Sequence, residues 1–265
     1  MKNEKYNFLK AVKTSNLIRL GRNEDGGYVV DSEIIKKCDT LITFGLGPDW
    51  SFELDYIKKN KNLKIYLYDH TTSSSPYLKA VIKYLRRFLT FRAKYKDVSD
   101  RITYLKNYLK FFKLSEVNFY PEKITYPMKN KIDTDINKVF SRLPVDAKVV
   151  LKSDIEGSEF EIIDEIMKHH SKIKMIIFEF HWMDVNEKIF LESVKKLRDK
   201  FNIIHIHGNN HCGKLTTGLP IALEMTFINK NIQADEGDYV NNFPIKNLDY
   251  PNNPYKKDLT FSFTD

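Results

Sequence analysis

The chain has 265 residues, 42% of them hydrophobic with 18 Phe and 15 Tyr, and a formal net charge of +8. That apolar content suffices for a sizeable core and excludes a disordered or low-complexity polypeptide. Its two cysteines, Cys38 and Cys212, stand far apart outside any CxxC pattern, which argues against a disulfide scaffold or a structural zinc site and suits a reducing compartment. The opening MKNEKYNFLKAVK lacks the apolar core of a secretory signal, and no run nears the roughly 18 apolar residues of a membrane span. The expected location is cytoplasmic.

In chain order, residues 1–39 read as a helical lead-in with a small Gly-rich turn. TLITFG (40–45) is a predicted strand, followed by the helix SFELDYIKKN. KIYLYD (64–69) and EVNFY (116–120) are the second and third strands, and KVVLKSD (148–154) the fourth, ahead of the helix EFEIIDEIMKHH. KMIIFEF (174–180) precedes a helix through NEKIFLESVKKLRDKF, and NIIHIH (202–207) and ALEMTFI (222–228) complete the series. Strands alternating with helices predict a doubly wound, mostly parallel α/β sheet with helices on both faces. It would span 40–230, with a loop-rich tail over 231–265.

Residues 76–115 interrupt the alternation. Leu78, Ile82, Leu85 and Leu89, then Ile102, Leu105, Leu109 and Phe112, repeat at helical spacing and predict two amphipathic helices. The segment holds eleven Lys or Arg against Asp97 and Asp100, a charge of +9 that leaves the rest of the chain near neutral. It reads as a hairpin packed on the sheet with solvated charges, or as a surface for an anionic substrate, a membrane carrying a lipid-linked acceptor, or nucleic acid. Nucleic acid is disfavoured because no recognised binding module is present.

Ligands of open α/β sheets bind beyond the carboxyl ends of the strands, and polar residues gather there. Gly45 and Gly47 follow the first strand and allow a tight turn. Asp69 ends the second, at an offset suited to ribose hydroxyls. Asp154 ends the fourth, Glu179 and His181 the fifth, and His205, His207 and Asn209 the sixth. Each has a plainer explanation: a tight turn, a cap, a core histidine, or, for Glu156 and Glu159, acids favoured by a helix N-terminus.

LKSDIEGSEFEII resembles the K-x-D-x-E-G-x-E signature of FkbM-like methyltransferases, which use S-adenosylmethionine on a class I, Rossmann-like fold. The similarity extends to RLGRNEDGGYVV (19–30) and FGLGPDWSFE (44–53), in matching order from about Leu17 to Ile228. It implies S-adenosyl-L-methionine held by Gly45, Gly47, Asp49, Trp50, Ser51, Asp69, His70, Asp154 and Asp25. It further implies an acceptor site drawn from Arg19, Arg22, Glu179, His181 and Asn209. Catalysis would fall to Asp154 and to His181 or His207 as general base, or to Mg²⁺ or Mn²⁺ held by Asp154, Glu179 and His181. The acid that such enzymes usually carry two residues before the first glycine is here Thr43; Asp49, Asp25 or Asp154 would have to take its place. The implied activity is O-methylation of a small, polar, anionic acceptor (phosphorylated, nucleotide- or sugar-linked) in surface-polysaccharide or secondary metabolism, with a homodimer and peripheral membrane contact as options. A nicotinamide-type oxidoreductase is disfavoured by the missing third glycine of GxGxxG; a non-catalytic module acting through the basic hairpin is the third option.

Overall fold

The computed structural model describes residues 4–233 and 237–263; residues 1–3, 234–236 and 264–265, which belong to the expected lead-in and tail, lie outside the described residues. Seven strands build the central sheet: β1 Thr40–Phe44, β2 Lys64–Tyr68, β3 Val117–Tyr120, β4 Val149–Ser153, β5 Ile173–Phe180, β6 Phe201–Gly208 and β7 Leu223–Asn229. Their spatial order is β3-β2-β1-β4-β5-β7-β6. The first five strands run parallel, and β7 runs antiparallel between β5 and β6. Every residue of β1, β4, β6 and β7 is buried, as strands covered on both faces require. This is the Rossmann-like fold of class I methyltransferases. The strand order reverses between β1 and β4, the switch point at which such sheets open a crevice.

Helices cover both faces. Those used below are α1 Ser51–Lys59, α2 Ser75–Leu89, α3 Tyr95–Phe112, α4 Glu159–Lys168 and α5 Met183–Arg198. Ile162, Ile166, Phe190 and Val194 from α4 and α5 pack with Phe178 and Phe180 on one side. Phe52 and Tyr56 of α1 pack with Leu41, Ile65 and Ile177 on the other.

Residues 4–39 keep helical segments at Glu4–Leu9 and Ser32–Lys37 and the expected Gly-rich turn, and add strands between them. After a 3-10 turn at Glu4–Leu9, the chain forms an antiparallel hairpin, Leu17–Leu20 with Tyr28–Asp31. Glycines at Gly21 and Gly26, with φ of +86° and +84°, take the left-handed conformations of its turn. The second hairpin strand is wholly buried, and its Val29 carbonyl accepts a 2.6 Å bond from Thr226 Oγ1 on β7. That docking carries Tyr28 and the DGG turn over the carboxyl edge of the sheet.

The tail is mostly loop, yet it folds back onto the sheet. Phe243, Phe261 and Phe263 are buried in the core, and Asn252 reaches the site described next. No helix of the described residues is long and apolar enough to cross a membrane.

Candidate active site

Gly45 and Gly47 end β1 in left-handed conformations, φ +71° and +60°. A Cβ on Gly45 would lie 1.8 Å from the Asp154 carbonyl oxygen, whereas one on Gly47 would meet nothing within 4 Å. Gly45 therefore lets β1 and β4 close together at the switch point, and Gly47 leaves open space above the turn. Asp69 fixes that turn. One of its oxygens, Oδ2, accepts from the Leu46 and Gly47 amides at 3.0 and 3.1 Å and from Thr72 Oγ1 at 2.9 Å. The other accepts from the Thr71 amide and hydroxyl, both at 2.7 Å, and the Thr72 amide at 3.1 Å. Burial pushes the carboxyl up, but the Thr71 hydroxyl and the Leu46 and Gly47 amides outweigh it and hold it down at about 2. With both oxygens engaged, a ribose would have to compete with the Thr71 and Thr72 hydroxyls; His70 and Thr71 lie beside Asp69 on the same wall.

A cavity of about 550 Å³ opens above the turn, within the range of small-molecule sites. Gly45, Gly47, Asp69 and Asp154, distant in sequence, all line it, as do Asp25, Asp49 and Arg22. Among the lining residues not anticipated from the sequence are Tyr28, Glu53 and Lys152. Glu53, on α1, is buried and accepts a 3.0 Å bond from the Thr43 hydroxyl. The helix thus supplies a carboxyl beside the position where the expected acid is replaced by threonine. Burial raises its pKa, opposed chiefly by Lys152. The Lys152 ammonium sits over the rings of Tyr28 and Phe52, 4.8 and 6.0 Å from their centroids.

A second pocket of about 260 Å³ adjoins the first and shares Asp25, Asp154 and Glu156 with it; Glu179, His181, Trp182, Asn209, His211, Cys212 and Ala222 complete its walls. Asp154 therefore stands on the wall between the two. Tyr28 Oη lies 3.0 Å from Asp154 Oδ2 and 3.1 Å from Glu179 Oε2. A phenol has one proton to donate, so both contacts are bonds only if one carboxyl is itself protonated. Burial, then the Asp154 and Glu224 charges, push the Glu179 pKa well up, and Asn209 Nδ2 donates to its Oε1 at 2.7 Å.

His181 Nδ1 lies 3.3 Å from Glu159 Oε1, and its Nε2 is 3.6 to 3.8 Å from Glu179, Asp154 and Glu156. Burial alone would lower its pKa, but Glu159, Glu179 and Asp154 raise it to about 9. A ring that carries its proton at neutral pH cannot accept another, so His181 is a cation here rather than a general base. Glu159 has a structural duty. Its two oxygens accept the Ile155 and Gly157 amides at 2.8 Å each, bracing a turn in which Glu156 and Gly157 have φ of +56° and +102°. The carboxylates crowded after β4 thus divide the work: Glu159 builds the turn, Asp154 faces the cavities, and the Glu156 side chain stands 77% exposed at the mouth.

Four expected site residues lie elsewhere. His207 is fully buried between Glu224 (3.1 Å) and Asp258 (3.1 Å) and lines neither cavity; the inward face of β6 carries it into the core. Trp50 and Ser51 turn away from the cofactor side: Trp50 stacks on Phe111 and meets Tyr77, Tyr108 and Phe112, and Ser51 binds Asp49. Arg19 is spent on the Arg22 and Glu24 carbonyls at 2.7 and 2.9 Å. Arg22 does reach the cavity and lies 3.4 Å from Asp49. Among the described residues, Asp154, Glu156 and His181 bring donor atoms within 4.8 Å of one another. In the expected metal set Glu156 replaces Glu179, whose oxygens are held by Tyr28 and Asn209.

Neither a family model nor a curated protein matches the sequence. Solved structures with a similar trace include a precorrin-6y C5,15-methyltransferase from Geobacter metallireducens GS-15, 14% identical, covering 75% of this chain and 86% of that one at a TM-score of 0.37. A putative rRNA-methylase from Clostridium thermocellum is 11% identical, covering 75% and 92% at 0.40. Spermidine synthase from Thermotoga maritima is 13% identical, covering 83% and 64% at 0.41. Likenesses this loose carry no weight on what the chain binds.

Proposed function

We propose that the chain is an S-adenosylmethionine-dependent methyltransferase of the FkbM-like kind that methylates a hydroxyl of a small polar acceptor. The observation that carries this reading is the position of Asp154 between a cavity of about 550 Å³ and a pocket of about 260 Å³. Two reactants approaching from opposite sides would meet there, and holding them in line with water excluded is most of what methyl transfer requires. The cofactor, when bound, supplies an electrophilic methyl group on a sulfonium sulfur. Glu53 and Lys152 offer opposite charges to its ammonium and carboxylate, and Gly47 leaves room for its backbone-hugging end. Asp154 takes the acceptor's proton as the oxygen attacks, and the Tyr28 hydroxyl orients the carboxylate. A nicotinamide reading is weaker, since the place of the third glycine is filled by Trp50 and its aromatic packing.

The second pocket presents Asp25, Asp154, Glu156 and Glu179. An acceptor hydroxyl or other uncharged group suits these walls, while a bare phosphate would be repelled. An anionic acceptor, as surface-polysaccharide or secondary metabolism would supply, therefore needs a divalent cation on Asp154, Glu156 and a His181 that gives up its proton to the solvent as the ion binds, with Glu159 orienting the imidazole from behind. In the second reading Mg²⁺ or Mn²⁺ serves a phosphorylated or nucleotide-linked acceptor. Turnover abolished by EDTA and restored by either ion selects it; activity unchanged in EDTA removes it.

The principal test is Asp154→Asn. We expect kcat to fall by about 10²- to 10⁴-fold with the fold intact, and Tyr28→Phe to fall less. Wild-type turnover in Asp154→Asn refutes the assignment.

A further inference from the structure

Helix α2 leaves its apolar face in solvent. Leu78, Ile82, Leu85 and Leu89 follow one stripe at helical spacing and are 50%, 42%, 42% and 75% exposed. Phe91, just beyond the helix, is 99% exposed. The sheet does not cover this stripe. Helix α2 packs instead on α3, through Tyr77 against Tyr108 at 5.0 Å and Tyr84 beneath the Arg101 guanidinium at 4.8 Å. The pair meets the body through Tyr77 at the start of α2 and Tyr108, Phe111 and Phe112 at the end of α3, which gather on Trp50 and Phe119.

Alongside the stripe runs a band of cations. Lys79, Lys83, Arg86, Arg87 and Arg92 share one shallow groove with Ile82, and the whole of SPYLKAVIKYLRRFL contains no acid. A row of leucines flanked on one side by fixed positive charge is the pattern of a helix that lies in the headgroup region of an anionic bilayer. A second copy of the chain is a poor occupant, because pairing these faces would set cations against cations with no acid on the helix to offset them. Nucleic acid would use the cations and leave the leucines without a role.

We propose that α2 and Phe91 form a docking surface for an anionic lipid membrane, the apolar stripe entering the interface and the Lys/Arg band meeting the headgroups. The helix leaves the sheet from the loop after Asp69, so docking holds the cavity's edge near the lipid surface. The test is co-sedimentation of the full chain with vesicles of phosphatidylcholine alone and of phosphatidylcholine mixed with phosphatidylglycerol. Binding is expected only with phosphatidylglycerol and should weaken as salt is raised. Lys83→Ala/Arg86→Ala/Arg87→Ala should lower it about fivefold per cation removed, and Leu85→Ser/Leu89→Ser/Phe91→Ser about tenfold or more. All six positions are exposed, so circular dichroism and the unfolding temperature should match the wild type and separate lost binding from lost fold. Failure of the wild type to sediment with anionic vesicles overturns the proposal. So does wild-type binding by the serine variant, which would make the band a simple polyanion site, or a dimer in solution that the serine variant dissolves.

Discussion

At the scale of single residues, the site depends on two glycines that do different work. Gly45 has backbone against it, the Asp154 carbonyl lying where a side chain would go, whereas Gly47 borders open space. Gly45→Ala should cost about 3 kcal/mol or more, since left-handed strain adds to a backbone clash. Gly47→Ala should cost about 1 kcal/mol of strain while weakening ligand binding through the methyl projecting into the cavity. Denaturant unfolding checks the first and calorimetric titration the second; equal destabilisation by both would contradict this division. Gly45, Gly47, Asp69 and Asp154 were legible in the sequence because they follow strand ends. Tyr28, Glu53 and Lys152 were not, for their meaning arises only when a hairpin, a helix and a strand converge. Glu53 did lie inside FGLGPDWSFE, three residues into a helix that begins at the site, and that placement was the available signal.

At the scale of elements, β6 shows why a histidine after a strand is an ambiguous sign. His181 leaves β5 toward the cavity, whereas His207 within β6 points at the tail and is closed in by Glu224 and Asp258. Burial would push His207 down, but Glu224 and Asp258 outweigh it and raise it to about 10. An unfolded histidine titrates near pH 6.5. A raised folded value means that its stabilising contribution is complete below about pH 6.5 and disappears as the pH climbs toward about 10. The unfolding temperature should decline across that window, and His207→Gln should start lower and flatten the decline. An unchanged slope in the variant would show that the network does not fasten the tail. Strands β1, β4 and β5 were readable because both faces are buried, which demands mostly apolar runs. The hairpin of residues 17–31 was not, its strands of four residues being too short for their alternation to stand out. Nor does an amphipathic pattern tell whether the apolar face of α2 meets a sheet or a lipid surface.

At the scale of the whole molecule, the chain combines a sheet whose switch point opens a crevice, a hairpin and tail that roof it, and a cationic helical arm set at its edge. The roof bears on function, because Tyr28 and Asp25 come from the hairpin and Asn252 from the tail. Residues distant in sequence, from hairpin, sheet and tail, thus close one cavity. The most direct measurement is isothermal titration of the full chain with S-adenosylhomocysteine, with NAD as the control ligand. One site per chain for S-adenosylhomocysteine, none for NAD, and a clear loss of affinity in Gly47→Ala are the predicted results. Absence of heat with S-adenosylhomocysteine at every concentration tried, or tighter binding of NAD, would contradict the account.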